Sequence, residues 1–111
     1  MKKEINKKLR YYIVVEDAWH QPLTSDEDRA EYSYTLGEYA DYDSAYLSAK
    51  NFTDKNFAIA AQNTKTESDF CGYWYHWGEV VYLYDRILGS CPFCSCEYIE
   101  EQIKKHYNQQ N

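Results

Sequence analysis

Between Tyr32 and Phe57 the spacing of apolar side chains changes, and that change sets the fold class. In "YSYTLGEY" (Tyr32–Tyr39), Tyr32, Tyr34 and Leu36 alternate with Ser33 and Thr35, the period of a half-buried strand. Gly37 inside this pattern marks a bulge or a close backbone approach. From Asp41 onward, Ala45, Ala49, Phe52 and Asn56 fall on one helical stripe, flanked by Tyr46 and Thr53. Such a stripe buries one side of an amphipathic helix. Asp41 is a good N-cap, and Asp43 lies in the first turn, where the helix dipole favours a carboxylate. A strand running straight into a capped helix points to a mixed fold.

The flanking segments extend the pattern. "RYYIVVED" (Arg10–Asp17) is β-branched and aromatic on both faces and reads as a central strand buried on two sides. "AWHQPLTSDEDRAE" (Ala18–Glu31) is polar, contains Pro22 and has no periodicity, so it reads as an exposed loop of 14 residues. That exceeds the usual connection length, and the strands on either side are expected to pair antiparallel. Ala58–Asp69 reads as a helix end followed by a polar loop. Gly72–Leu88 reads as one or two strands bent at Gly78. Cys96–Tyr107 places Cys96, Ile99, Ile103 and His106/Tyr107 on one face of a helix. The expectation is a two-layer α+β domain over residues 11–107. Its sheet has three to four mostly antiparallel strands with two helices on one face, in the order β-β-α-β-(β)-α. A basic arm (1–10) precedes it and a tail (108–111) follows.

Charge is spread unevenly along the chain. Residues 1–10 carry five Lys/Arg against one Glu, and residues 16–43 carry nine Asp/Glu against Arg29 alone, within a total of −6. An acidic body disfavours nucleic acid, because phosphate contacts need positive charge. It favours a basic protein partner, which such a field steers into contact. Asp26, Glu27, Asp28 and Glu31 are the acidic candidates. No apolar run approaches the roughly 18 residues of a membrane span, and "MKKEINKKLR" has no signal-peptide core behind it. Those features lead to the expectation of a cytoplasmic protein with reduced cysteines.

Aromatic residues make up 18% of the chain, and thirteen of them are tyrosines. Buried phenols want hydrogen-bond partners. In "YWYHW", Tyr73, Trp74, Tyr75 and Trp77 are the candidate contact surface, since Tyr and Trp anchor interfaces. Asp17 and His20 form a candidate polar site, where a carboxylate can orient a histidine for base work. No nucleophile motif or Gly-rich phosphate loop accompanies them. Cys91, Cys94 and Cys96, with Cys71 as a fourth ligand (or His76 in its place), are the candidate zinc ligands. The second Cys-x-x-Cys pair of common zinc ribbons is missing. "CPFC" also matches the active-site spelling of some glutaredoxins, but only 17 residues follow Cys94, too few for the further strands that redox fold requires. No cofactor is therefore expected, with zinc as the alternative.

Several of these residues also carry a resemblance. "VVEDAWH", an acidic loop and "YTLGEYADYDSAYLSAK" are similar to a family of small bacterial proteins of unknown function. The matching positions are Val15, Asp17, Trp19, His20, Gly37, Glu38, Tyr39, Tyr42 and Ala45, and the likeness continues through "WYHWGE" and "PFCSCEYI". The resemblance implies a stand-alone bacterial or phage-borne domain, and it carries no activity. The family pattern lacks the cysteine cluster, so it implies a fold that needs no structural metal. The functional expectation is a small acidic protein-binding module, of an inhibitor, immunity or anti-defence kind. The alternatives are a cysteine-centred zinc module and an enzyme using Asp17 and His20.

Overall fold

The computed structural model describes residues 9–108. Apart from Leu9, Arg10 and Asn108, the expected basic arm and tail lie outside the described residues. The elements run β1 (Tyr11–Asp17), α1 (Asp26–Tyr32), β2 (Ser33–Tyr39), α2 (Tyr42–Gln62), α3 (Glu67–Trp77), β3 (Glu79–Asp85), β4 (Ser90–Cys94) and α4 (Ser95–Asn108). The strands form one antiparallel sheet in the order β2-β1-β3-β4. The α+β class expected from the sequence is therefore the class observed, with four helices rather than two. No helix among the described residues is long and apolar enough to cross a membrane.

β1 is central, as its composition indicated, but it is fully buried on one side only. Ile13 and Val15 are completely buried; Tyr12, Val14 and Glu16 on the other face are partly covered. Their cross-strand partners there include Tyr82 and Tyr84, and the Tyr12 and Tyr84 rings stack at 5.3 Å. On the buried side, Ile13, Val15, Val81 and Leu83 meet Ala45 and Ala49 of α2. The bulge expected near Gly37 is present: pairing shifts between Ile13/Gly37 and Val14/Thr35, leaving Leu36 as the extra residue. Gly37 also provides a close approach, since a Cβ there would lie 2.6 Å from the Tyr39 hydroxyl. That hydroxyl is held by Ser48 at 2.7 Å.

Two expected irregular or extended segments are helical. The exposed loop contains α1, which is capped by Ser25 and carries Asp26, Glu27 and Asp28 in its first turn. Within that loop Ala18 and Leu23 are buried. The second correction is larger. Tyr73–Trp77 is the end of helix α3, not a strand. Thr66 caps α3, with Glu67 and Asp69 in the first turn, and α2 itself continues to Gln62. Aromatic residues suit strands by local preference, but here burial decides. Phe70 is fully buried with Ala60 and Ile99, flanked by Phe57, Tyr73, Trp74 and Ile103. This second core lies between α2, α3 and α4. Cys96, expected to pack inward, is exposed at the start of α4.

Two polar contacts fix the sheet ends. The Val81 N–H donates to Ser95 Oγ at 2.8 Å in a buried site, where a lost backbone partner would be expensive. At the other end, Arg10 grips Asp85 with two hydrogen bonds of 2.9 and 2.8 Å. Asp85 also accepts the Ile87 and Leu88 N–H groups of the β3–β4 turn. The Arg10 hydrogen bonds, aided by those N–H groups, hold the Asp85 carboxyl down to about 2 despite its burial.

Replacing Phe70 with Ala is expected to lower unfolding free energy by about 3–5 kcal/mol in urea titrations, as a buried core ring demands. A smaller loss, under about 1 kcal/mol, is what an exposed position gives and would count against this burial. Asp85 has a depressed folded-state value, so its contribution is complete above the unfolded value of roughly 4 and is lost as pH falls through about 2. Urea midpoints should therefore drop between pH 4 and pH 2, and Asp85→Asn should flatten that drop while lowering stability at pH 7.

Candidate functional site

The chain is brought back on itself at the Asp17/Glu79 end of β1 and β3, and an open cleft of about 430 Å³ forms there. Val15 and Asp17 of β1, Ser33 and Tyr34 of β2, and Glu79 of β3 come from the sheet. Glu31 and Tyr32 come from α1, His76 and Trp77 from α3, and Trp19 and His20 from the turn after β1. Gly78 makes the junction between α3 and β3 possible. A Cβ there would sit 2.4 Å from the Trp74 carbonyl oxygen and 2.6 Å from the Trp74 ring. Its N–H donates to that same carbonyl, so α3 ends tight against the first residue of β3.

The turn after β1 ties the walls together. Asp17 Oδ1 accepts the Trp19 N–H at 2.8 Å, and Asp17 Oδ2 lies 3.0 Å from His20 Nδ1. Trp19 stacks on His76 of α3 at 4.5 Å, while His20 lies flat on Tyr32 of α1 at 3.6 Å. The expected Asp17–His20 pair is thus real. The cleft's serine does not complete a nucleophile arrangement with it, because the Ser33 hydroxyl donates to the Arg29 carbonyl in the last turn of α1.

Electrostatics single out the cleft. Asp17 and Glu79 face each other directly across β1 and β3, a like-charged cross-strand pair of the destabilising kind. Glu31 adds a third carboxylate to the lining, and among the described residues no Lys or Arg lines it. Glu79 accepts the Tyr34 hydroxyl at 3.3 Å. Burial and then Glu79 push the Tyr34 phenol above its ordinary value, so it remains a donor at neutral pH. Tyr32 is raised by burial and by Glu31 and Asp28.

The candidate residues sort as follows. Asp17, His20, Glu31 and Trp77 meet in the cleft. Asp26 and Glu27 are exposed on the adjoining α1, and Asp28 is partly so. Tyr75 and Trp77 are exposed, by 59% and 74%, whereas Tyr73 and Trp74 are half-buried and pack against the second core. Trp19, Tyr32, Tyr34 and Glu79 were not among the expected site residues, and His76 was expected only as an alternative zinc ligand. Trp19 stood out only as part of the "VVEDAWH" motif, and Tyr34 only as a strand residue.

The cysteines do not converge with them. All four are free thiols. Among the described residues no group of three or more His, Cys, Asp or Glu is arranged to hold a metal ion. Cys71 is on α3, Cys91 and Cys94 on β4, and Cys96 at the start of α4. Burial, with Cys94 nearby, pushes the Cys91 thiol up. Burial and a hydrogen bond with Cys94 push Cys96 up to about 11. Thiols shifted in this direction stay protonated at neutral pH, the reverse of an activated thiolate.

No protein-family model, curated protein or solved structure matches the chain. What the fold and cleft define is an antiparallel α+β domain with an acid- and ring-lined cleft at one end of its sheet.

If the Asp17–Glu79 pairing is a standing cost, Glu79→Gln should relieve it and still accept the Tyr34 hydroxyl. The expected result is a gain of about 0.2–1 kcal/mol in urea unfolding at neutral pH and low salt, shrinking as salt rises. A loss of stability would mean that the Glu79 charge is satisfied within the fold.

Proposed function

We propose that the protein is a binding module for a basic protein partner. The single observation that carries this reading is the cleft lining: three carboxylates and several exposed rings, with no Lys or Arg beside them among the described residues. Two surfaces divide the work. Asp26, Glu27 and Asp28 on α1 lie beside the cleft and supply long-range attraction, which acts on the association rate and is screened by salt. Trp77 and Tyr75 supply ring surface for a desolvated contact, which acts on the lifetime of the complex. Direct blockade of an enzyme or toxin, of an inhibitor or immunity kind, is the mode of action this reading carries. Ser33, turned to the Arg29 carbonyl, leaves the Asp17–His20 pair without a nucleophile to activate, so an enzymatic reading has less support from the same cleft.

The test is kinetic. Affinity capture from the source cell supplies a partner, which is then purified and studied by surface plasmon resonance. The partner should be basic. Neutralising Asp26, Glu27 and Asp28 together should slow association several-fold and flatten its salt dependence. Trp77→Ala should speed dissociation by roughly 30-fold, the equivalent of about 2 kcal/mol. A partner whose binding ignores salt and these residues, yet is lost in Cys91→Ser or Cys94→Ser, would move the interaction to the cysteines and overturn the proposal.

A further inference from the structure

Resting on the basic-partner reading, we infer that the cleft is a subsite for one arginine side chain of that partner. The argument is from the chemistry of the lining. Asp17 and Glu79 stand on adjacent strands at directly paired positions, so the sheet fixes their backbones, and the Asp17 carboxylate is further held by the Trp19 N–H and His20. Glu31 approaches from α1. The only basic side chain paired with any of these three carboxylates among the described residues is the imidazole of His20, on Asp17. Glu79 spends one oxygen on the Tyr34 hydroxyl and keeps the other.

The rings choose between cations. Trp77 and Tyr34 line the same space and are 74% and 48% exposed, so their faces are available for stacking. A guanidinium is planar, stacks on rings and presents donors to two carboxylates at once; an ammonium is a compact, strongly hydrated point charge. Two carboxylates on neighbouring strands beside uncovered rings match the first geometry. A trimethylated ammonium would stack but would offer no N–H to the free oxygen of Glu79.

The experiment uses the full chain, labelled with 15N, and three capped tripeptides: acetyl-Gly-Arg-Gly-amide, its lysine analogue and its citrulline analogue. Citrulline keeps the shape and removes the charge. The arginine peptide should shift the Trp77 indole and the Tyr34 and Glu79 amide signals saturably. Lysine should bind several-fold more weakly and citrulline at least tenfold more weakly. Glu79→Gln should weaken arginine binding at least fivefold, with unfolding measured in parallel to establish that the variant is folded, while Glu101→Gln, exposed on α4 and outside the cleft, should change it less than twofold. Equal shifts from arginine and citrulline, no effect of Glu79→Gln, or shifts confined to Asp26–Asp28 would overturn the subsite. Cleft signals that move with protein concentration alone, and stop moving when residues 1–8 are deleted, would make a second copy the occupant and also overturn it. Suppose a purified basic partner binds with salt dependence through Asp26, Glu27 and Asp28 while arginine peptides ignore the cleft. Then the subsite fails and the basic-partner reading stands.

Discussion

The close packing of Ala45 and Ala49 on Ile13, Val15, Val81 and Leu83 is the contact on which the rest depends. Alanine has almost no side chain, so α2 lies directly on the sheet at this point. Each of the four larger residues gains on the order of 1.5–3 kcal/mol from leaving water. The two alanines that meet the sheet both lie in the first half of α2. Beyond Thr53, which turns its hydroxyl to the Ala49 carbonyl, the helix leaves the sheet and needs another cover. α3 and α4 provide it through Phe70 and Ile99. The second core is therefore a consequence of a helix longer than the sheet it packs on.

A core this rich in tyrosine must place its hydroxyls. Tyr39 reaches Ser48, Tyr98 reaches Asp54 and Tyr107 reaches Thr64, each joining elements far apart in sequence or across a turn. Each partner lies on or beside α2, so the helix receives rings on its polar flanks as well as its alanine stripe. Asn56, on the buried stripe in the sequence, is the exception: its Nδ2 is buried with no hydrogen-bond partner among the described residues. On the opposite sheet face, Tyr12 and Tyr84 stack and Arg86 lies 4.5 Å over the Tyr12 ring. That face is roofed by half-exposed rings instead of by a helix.

Legibility followed the range of the interactions involved. The strand-to-helix switch, the Asp41 cap, the bulge at Gly37 and the centrality of β1 are written in neighbouring residues, and they were readable. α3 was not, because "YWYHW" favours strand locally and only Phe70, buried against residues of α2 and α4, settles it as helix. The Thr66 cap and the acids after it were the available signal, hidden in a stretch that looked like a loop. α1 was missed for a similar reason: its Ser25 cap and three acids spell a helix start, but none of its residues is buried to give a period. The cleft draws on five elements and one turn. No local pattern could have joined Glu31 to Trp77, although Asp17 and His20, three residues apart, were legible as a pair.

The β1–β3 ladder has two ends, and they treat charge in opposite ways. At the Tyr11/Asp85 end, Arg10 grips Asp85 in a fork, while Arg86 bonds Glu38 at 3.1 Å and the Leu9 carbonyl at 2.6 Å. Asp85 and Glu38 each have a guanidinium. At the Asp17/Glu79 end the carboxylates face one another, with His20 as the nearest ionisable base. The same two strands therefore carry a completed arginine–carboxylate site and an incomplete one about six residues apart. Folding needs the first, because it closes the β3–β4 turn onto the start of β1. The second sets like charges at paired positions, which opposes folding, while each carboxylate keeps a local partner: Asp17 the Trp19 N–H and His20, Glu79 the Tyr34 hydroxyl. Held rigidly on a sheet and flanked by uncovered rings, it is organised for a cation that the described chain does not supply.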